Sequence, residues 1–176
     1  NSVLEALQTN QNIIAARKAS TLATNLSVQE ALSHIQQSWL TRSDPYKVRI
    51  NAQQALLNLP CFPTTTIGSF PQTAEIRKTR REFINGDITD AAYENALKAQ
   101  IANCIQQQES LGLDVLVHGE SERNDMVEYF AAFLNGVLTT QFGWVQSYGS
   151  RCVKPPVIYG DLSRAGSITI QWTHYA

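Results

Sequence analysis

Thr64-Thr65-Thr66-Ile67-Gly68-Ser69-Phe70-Pro71 is the stretch on which the fold turns. Four β-branched residues in succession favour extended backbone, and Gly68 to Pro71 break it, so the segment predicts a strand that runs into a loop. Downstream, Glu75 to Phe83 predicts a short charged helix ended by Gly86, and Thr89 to Leu111 a long one. Tyr93, Leu97, Ile101, Cys104, Ile105 and Leu111 line the apolar face of the long helix. Gly112 suits the left-handed position that closes it. Leu113-Asp114-Val115-Leu116-Val117 then predicts a second, mostly apolar strand ending at His118-Gly119-Glu120. Strand, helix and strand in that order imply a right-handed crossover between parallel strands, the signature of the α/β class.

Upstream the grammar is helical. Leu4, Leu7, Ile13 and Ile14 suggest a first helix interrupted by Asn10 and Asn12. Ser27-Val28-Gln29-Glu30 has the form of a capping box, followed by Ala31, Leu32, Ile35 and Trp39 on one face. Asp44-Pro45 predicts another start, with Pro45 at the first helical position and Val48, Ala52, Ala55, Leu56 and Leu59 as its stripe, stopped by Pro60 and Pro63.

Beyond the second strand, Asp125 to Leu134 predicts a helix whose Met126, Val127, Phe130, Phe133 and Leu134 are core. Phe142 to Ser150 fits no element, Pro156 to Asp161 predicts a third strand, and Ser167 to Ala176 a helix starting on Trp172 and Tyr175. A complete (β/α)8 barrel takes about 250 residues, whereas roughly 113 follow Pro63, enough for about three strand-helix units. The expectation is therefore a helical connector over 1–60, then 61–176 as the opening part of an incomplete (β/α)8 TIM barrel, its end at Ala176 reading as a cut. Unpaired strand edges in such a piece favour self-association.

Composition excludes several classes. With 43% hydrophobic and 16% charged residues and a net charge of −1, the chain is an ordinary globular sequence with no nucleic-acid footprint and no membrane span. A cytoplasmic location follows as an expectation. Cys61, Cys104 and Cys152 are odd in number and far apart, which fits reduced thiols. His34, His118 and His174 are equally dispersed, so no metal-ligand pair is visible and each reads as structural or solvent-facing.

Three strand ends could carry chemistry. At Ile67-Gly68-Ser69, exposed amides and a hydroxyl suit a carboxylate, against the plain alternative of a strand-ending turn. In His118-Gly119-Glu120-Ser121-Glu122-Arg123, Glu120 suits a substrate ammonium, and Glu122 with Arg123 reads as a simple ion pair. In Ser150-Arg151-Cys152-Val153-Lys154, an Arg fork and a Lys suit an anion, although a surface basic cluster explains them equally well.

Taken together, Thr64 to Gln72, Leu113 to Glu120, Glu122 to Phe130 and Tyr148 to Pro156 closely resemble the cobalamin-independent methionine synthases, and the resemblance spans Leu59 to Ala176. It implies transfer of a methyl group from 5-methyltetrahydropteroyltri-L-glutamate to L-homocysteine. It further implies homocysteine or methionine on Ile67, Gly68, Ser69 and Glu120, and the methyl-folate on Arg151 and Cys152. Zinc, and no cobalamin, is the family's cofactor. Its zinc-ligating His-x-Cys pair, Glu and final Cys, and the proton-donating His, match nothing in this chain, so no catalytic or metal residue is assigned here and the fragment is expected to be inactive alone. A stand-alone, non-catalytic homocysteine- or folate-binding or assembly module is the alternative. Another enzyme of the wider barrel group is a third reading.

Overall fold

Two threonines set the helices that frame the middle of the chain. Thr73 and Thr89 each precede a helix with extended backbone, and their hydroxyls accept from Ile76 N and Ala92 N respectively, satisfying amides that have no partner within the helix. The computed structural model describes residues 2–150 and 152–176. In chain order its elements are α1 (Ser2–Ala19), α2 (Leu26–Ser33), a 3-10 turn (Gln37–Leu40), α3 (Tyr46–Leu57), α4 (Ala74–Asn85), α5 (Asp90–Ser110), α6 (Met126–Ala131), β1 (Leu134–Thr139), β2 (Val145–Gln146), β3 (Cys152–Val153), β4 (Pro156–Arg164) and α7 (Ile170–Tyr175). This mixture of helix and strand is of the α/β class. Two compact units form, one from residues up to Thr41 with Asp125–Gly166, the other from Arg42–Asn124 with Ser167–Ala176.

In the second unit, Ile76 of α4, Leu97 and Ile101 of α5 and Trp172 of α7 form the core, with Tyr93 and Ile105 packed against it. Phe83 stacks on Tyr93 with ring centroids 4.3 Å apart. The periodic reading of α5 holds except at Leu111, which caps the helix and is 77% exposed. Gly86 closes α4 at φ 80°, a conformation that favours glycine. Pro45 lies one residue before α3 rather than at its first helical position.

The two predicted strands run side by side in parallel but form no ladder. Their register is the same at both ends: Thr64 beside Asp114, and Ser69 bridged to Gly119. Val115 N donates to Thr64 O and Phe70 N to Gly119 O, both at 3.0 Å. Between these, side chains occupy positions a ladder would use. Thr65 Oγ1 donates to Val115 O at 2.9 Å. The Gln108 amide takes both polar groups of Val117, its Nε2 donating to Val117 O at 2.7 Å and its Oε1 accepting from Val117 N at 3.0 Å. Short polar side chains compete with regular pairing in this way. Ile67 is 97% exposed, and Val115 and Leu116 are exposed as well.

The first unit departs further from expectation. Its ladders are antiparallel, β1 with β4 and β2 with β3; the predicted strand over Pro156 to Asp161 is present within β4, as the return arm of the β1–β4 pair rather than beside the two parallel segments. Gly136 makes this possible at φ 82°, where a bulge brings its Cα against Asp161 and a Cβ would lie 2.4 Å from Asp161 O. The α2 helix begins at Leu26, capped by Asn25 rather than by Ser27, because the Asn25 side chain reaches both Ser27 N and Val28 N. Ile35 and Trp39 lie beyond its end and are exposed. The α6 helix is only six residues long and buries Ala131, leaving Met126 and Val127 exposed rather than in the core. No helix among the described residues is long and apolar enough to cross a membrane.

Candidate functional site

Two glycines, Gly68 and Gly119, and a buried carboxylate, Glu122, set the geometry at the end of the second parallel segment. Gly119 has φ 87°, and a Cβ there would meet Cys104 Sγ at 2.6 Å, so only glycine lets the chain turn this close to α5. The next residue, Glu120, is itself left-handed at φ 62°. Holding a non-glycine residue there costs about 1–3 kcal/mol, which the surroundings must offset. Arg123 N donates to Glu120 O at 3.0 Å, Gln72 Nε2 to Arg123 O at 3.1 Å and Arg80 Nη2 to Ser121 O at 2.8 Å, pinning the turn from inside and from α4.

This turn aims the Glu120 carboxylate over Gly68. A Cβ at Gly68 would lie 3.1 Å from Glu120 Oε1, so the lack of a side chain at 68 leaves room for the carboxylate. Arg123 then joins two acids: its Nη1 is 3.1 Å from Glu120 Oε1 and its Nε 2.9 Å from Glu122 Oε1. His118 Nε2 lies 3.0 and 3.1 Å from the two oxygens of Glu122. Burial pushes the Glu122 carboxyl upward, but the hydrogen bond from His118, its own backbone amide and the charges of His118 and Arg123 outweigh it, leaving the group below its ordinary value. Sequence spacing did not disclose this network, because a spacing of three or four residues pairs side chains on a helix and this segment is a loop. The sequence reading paired Glu122 with Arg123, which is observed; it missed the link onward to Glu120.

Gly68, His118 and Glu120 line a cleft of about 420 Å³, whose other walls include Ile105, Leu116 and Thr173. Ser69 is exposed beside it, its backbone bridged to Gly119, while Ile67 is 97% exposed. The structure therefore brings Gly68, Ser69 and Glu120 to one place. A carboxylate, backbone amides and an apolar wall together suit a small molecule with an ammonium, a carboxylate and an apolar body. Thr64 N and Oγ1 both donate to Asp114, at 2.7 and 2.8 Å, and hold that carboxyl below its usual range.

Cys152 belongs to the other unit, exposed in the β2–β3 ladder opposite Gln146; Arg151 lies outside the described residues. In the same unit as Cys152, Lys154 Nζ is 2.6 Å from Glu128 Oε1 and 5.0 Å from the Trp144 ring centroid, so this cation already has two partners. Among the described residues no three His, Cys, Asp or Glu side chains come together as a metal-binding set. Cys104 is buried, its thiol pushed up by desolvation against the opposing Gln108 hydrogen bond, and its Sγ is engaged by Gln108 Nε2 at 3.2 Å. These residues do not fit a zinc ion.

A sequence model described as "Cobalamin-independent synthase, Catalytic domain" matches residues 62–176. Among curated relatives, a 5-methyltetrahydropteroyltriglutamate–homocysteine methyltransferase of Saccharophagus degradans is 58% identical over 175 residues, 99% of this chain and 23% of the relative. The chain thus spans about a quarter of that relative's length. A solved structure described as a B12-independent methionine synthase from Shewanella sp. W3-18-1, in complex with selenomethionine, aligns with a TM-score of 0.48 at 20% identity, covering 64% of this chain and 33% of that one.

Proposed function

This chain belongs to the cobalamin-independent methionine synthase family, and we propose that its Gly68–Glu120 cleft binds the amino-acid end of L-homocysteine or product L-methionine. Glu120 accepts from the ammonium, and the Ile67-Gly68-Ser69 amides and the Ser69 hydroxyl take the carboxylate. The observation that carries this reading is the Glu120 carboxylate held over the bare Cα of Gly68 in an otherwise partly apolar cleft. A charge-assisted hydrogen bond to an ammonium is worth about twice a neutral one, which makes Glu120 the main discriminator.

The whole protein, on this reading, moves a methyl group from 5-methyltetrahydropteroyltri-L-glutamate to L-homocysteine in the cytoplasm, with Arg151 and Cys152 contacting the folate. Residues 1–60 serve as connector and 61–176 as the opening of a (β/α)8 barrel, and the exposed Ile67, Val115 and Leu116 favour self-association through its open edge. Zinc would be held by residues other than those described here, and would supply stabilisation of the homocysteine thiolate. The residues described here bind and orient the amino acid, and methyl transfer by this chain alone is not expected. The lack of a metal-binding set among the described residues also suits a non-catalytic binding module, which makes the same cleft contacts without turnover.

The test is an amide NMR titration with L-methionine. Saturable shifts at Gly68, Ser69, Gly119 and Glu120, with Gln146 and Val153 unmoved, support the reading. Shifts confined to other residues, or none at millimolar ligand, refute it.

A further inference from the structure

Resting on the reading of Glu120 as the ammonium partner, we propose that Glu122 and Arg123 are positioning residues that set this protein's preference for ligands bearing an amine. Neither is assigned a ligand contact. Their role follows from how the carboxylate of Glu120 is held.

Glu120 sits on a strained, left-handed backbone at the rim of an open cleft, where a carboxylate otherwise has several rotamers and can turn into water. Arg123 Nη1, 3.1 Å from Oε1, fixes one of them. A carboxylate offers about four acceptor positions, so this contact leaves capacity for an ammonium. The guanidinium is in turn fixed by its Nε on Glu122 Oε1 at 2.9 Å. Glu122 is the buried anchor, 7% exposed as a residue, with His118 Nε2 at 3.0 Å on the same oxygen. The order of dependence runs from the buried end outward: His118 and the fold orient Glu122, Glu122 orients Arg123, and Arg123 orients Glu120. A planar guanidinium bonded by two different nitrogens to two different acids transmits orientation in a way that a flexible ammonium does not. The backbone bonds from Gln72 and Arg80 hold the turn itself, so charge removal at 122 or 123 acts first on side-chain aim.

The experiment compares L-methionine with 4-(methylsulfanyl)butanoate, the same molecule without its amine, by calorimetry on this chain. Wild type is expected to prefer methionine by roughly tenfold or more, the loss of one charge-assisted hydrogen bond. Absence of that preference in wild type defeats the reading of Glu120, whatever the variants do. Given the preference, Glu122→Gln and Arg123→Gln should each reduce the ratio to within about threefold of unity while leaving the affinity of the amine-free ligand within about threefold of wild type. Arg123→Lys should recover part of the ratio. A wild-type ratio in either Gln variant overturns the proposal. Equal loss of both ligands by a variant that keeps its far-UV spectrum also overturns it, because that is loss of the cleft rather than of aim. The two Gln variants are read independently, so one that does not fold leaves the other to decide.

Discussion

The turn at residues 118–123 and the hairpin at 145–153 both lie where the sequence predicted functional loops, yet they are built in opposite ways. In the first, every described charged side chain is engaged by a neighbour within the same few residues, and the backbone is tied to Gln72 and Arg80. In the second, a ladder of two residue pairs is exposed except at half-buried Val153, with Phe142, Trp144 and Tyr148 open to solvent. Preorganisation of the first kind limits the ordering a small ligand must impose, whereas the second leaves that ordering to whatever binds it. The Gly68–Glu120 cleft is thus already held in shape by its own side chains, and the Cys152 hairpin is held less tightly.

If that contrast is right, the largest effects of substitution fall around the cleft. Gln108→Leu removes the Gln108 bonds to both polar groups of half-buried Val117, leaving its amide without that partner and its carbonyl with only the weak Cys104 thiol contact at 3.8 Å, which should cost about 2–5 kcal/mol in urea unfolding. A cost under about 0.5 kcal/mol would mean that the two parallel segments do not depend on this side chain. Gly119→Ala should follow, at about 2–4 kcal/mol, from left-handed strain and the contact with Cys104 Sγ. Combining it with Cys104→Ala separates the two causes: relief of the clash but not of the strain should recover only part of the loss.

A smaller effect sharpens the electrostatic half of the comparison. The Glu122 carboxyl is lowered in the folded chain from an ordinary 4.5, so its contribution to stability is complete above that pH and is lost as pH falls through the folded value. The stability advantage of wild type over Glu122→Gln should therefore shrink as thermal melts are taken from pH 6 down to about pH 3. An advantage that grows on acidification would show the sign to be wrong. Smallest of all, Cys152→Ser on the exposed hairpin should change stability by less than about 0.5 kcal/mol.

The sequence disclosed α4 and α5 well because their caps and stripes are local: Thr73, Thr89 and Gly86 act on amides and turns beside them. It disclosed the position of the cleft through the two strand ends, and the resemblance through the words around them. It did not disclose that Gln108, a polar residue on an apolar helical face, is fully buried and replaces ladder bonds, since hydrophobic periodicity counts such a residue as solvent-facing. Nor did it show β4 turning back on β1, because Pro156 to Asp161 reads the same in parallel and antiparallel sheets and the deciding bulge at Gly136 lies twenty residues upstream. Beyond the Glu122–Arg123 pair, the links onward to Glu120 and His118 were not legible, because a left-handed turn has no periodicity from which contacts can be counted.

The central claim is that Glu120, aimed over Gly68, receives an ammonium group. A crystal structure of this chain grown with L-methionine tests it most directly. The account predicts the ligand nitrogen within about 3.2 Å of a Glu120 carboxylate oxygen, with the ligand carboxylate at the Gly68–Ser69 amides. Methionine bound with its nitrogen turned away from Glu120, or seated on another surface, would contradict it.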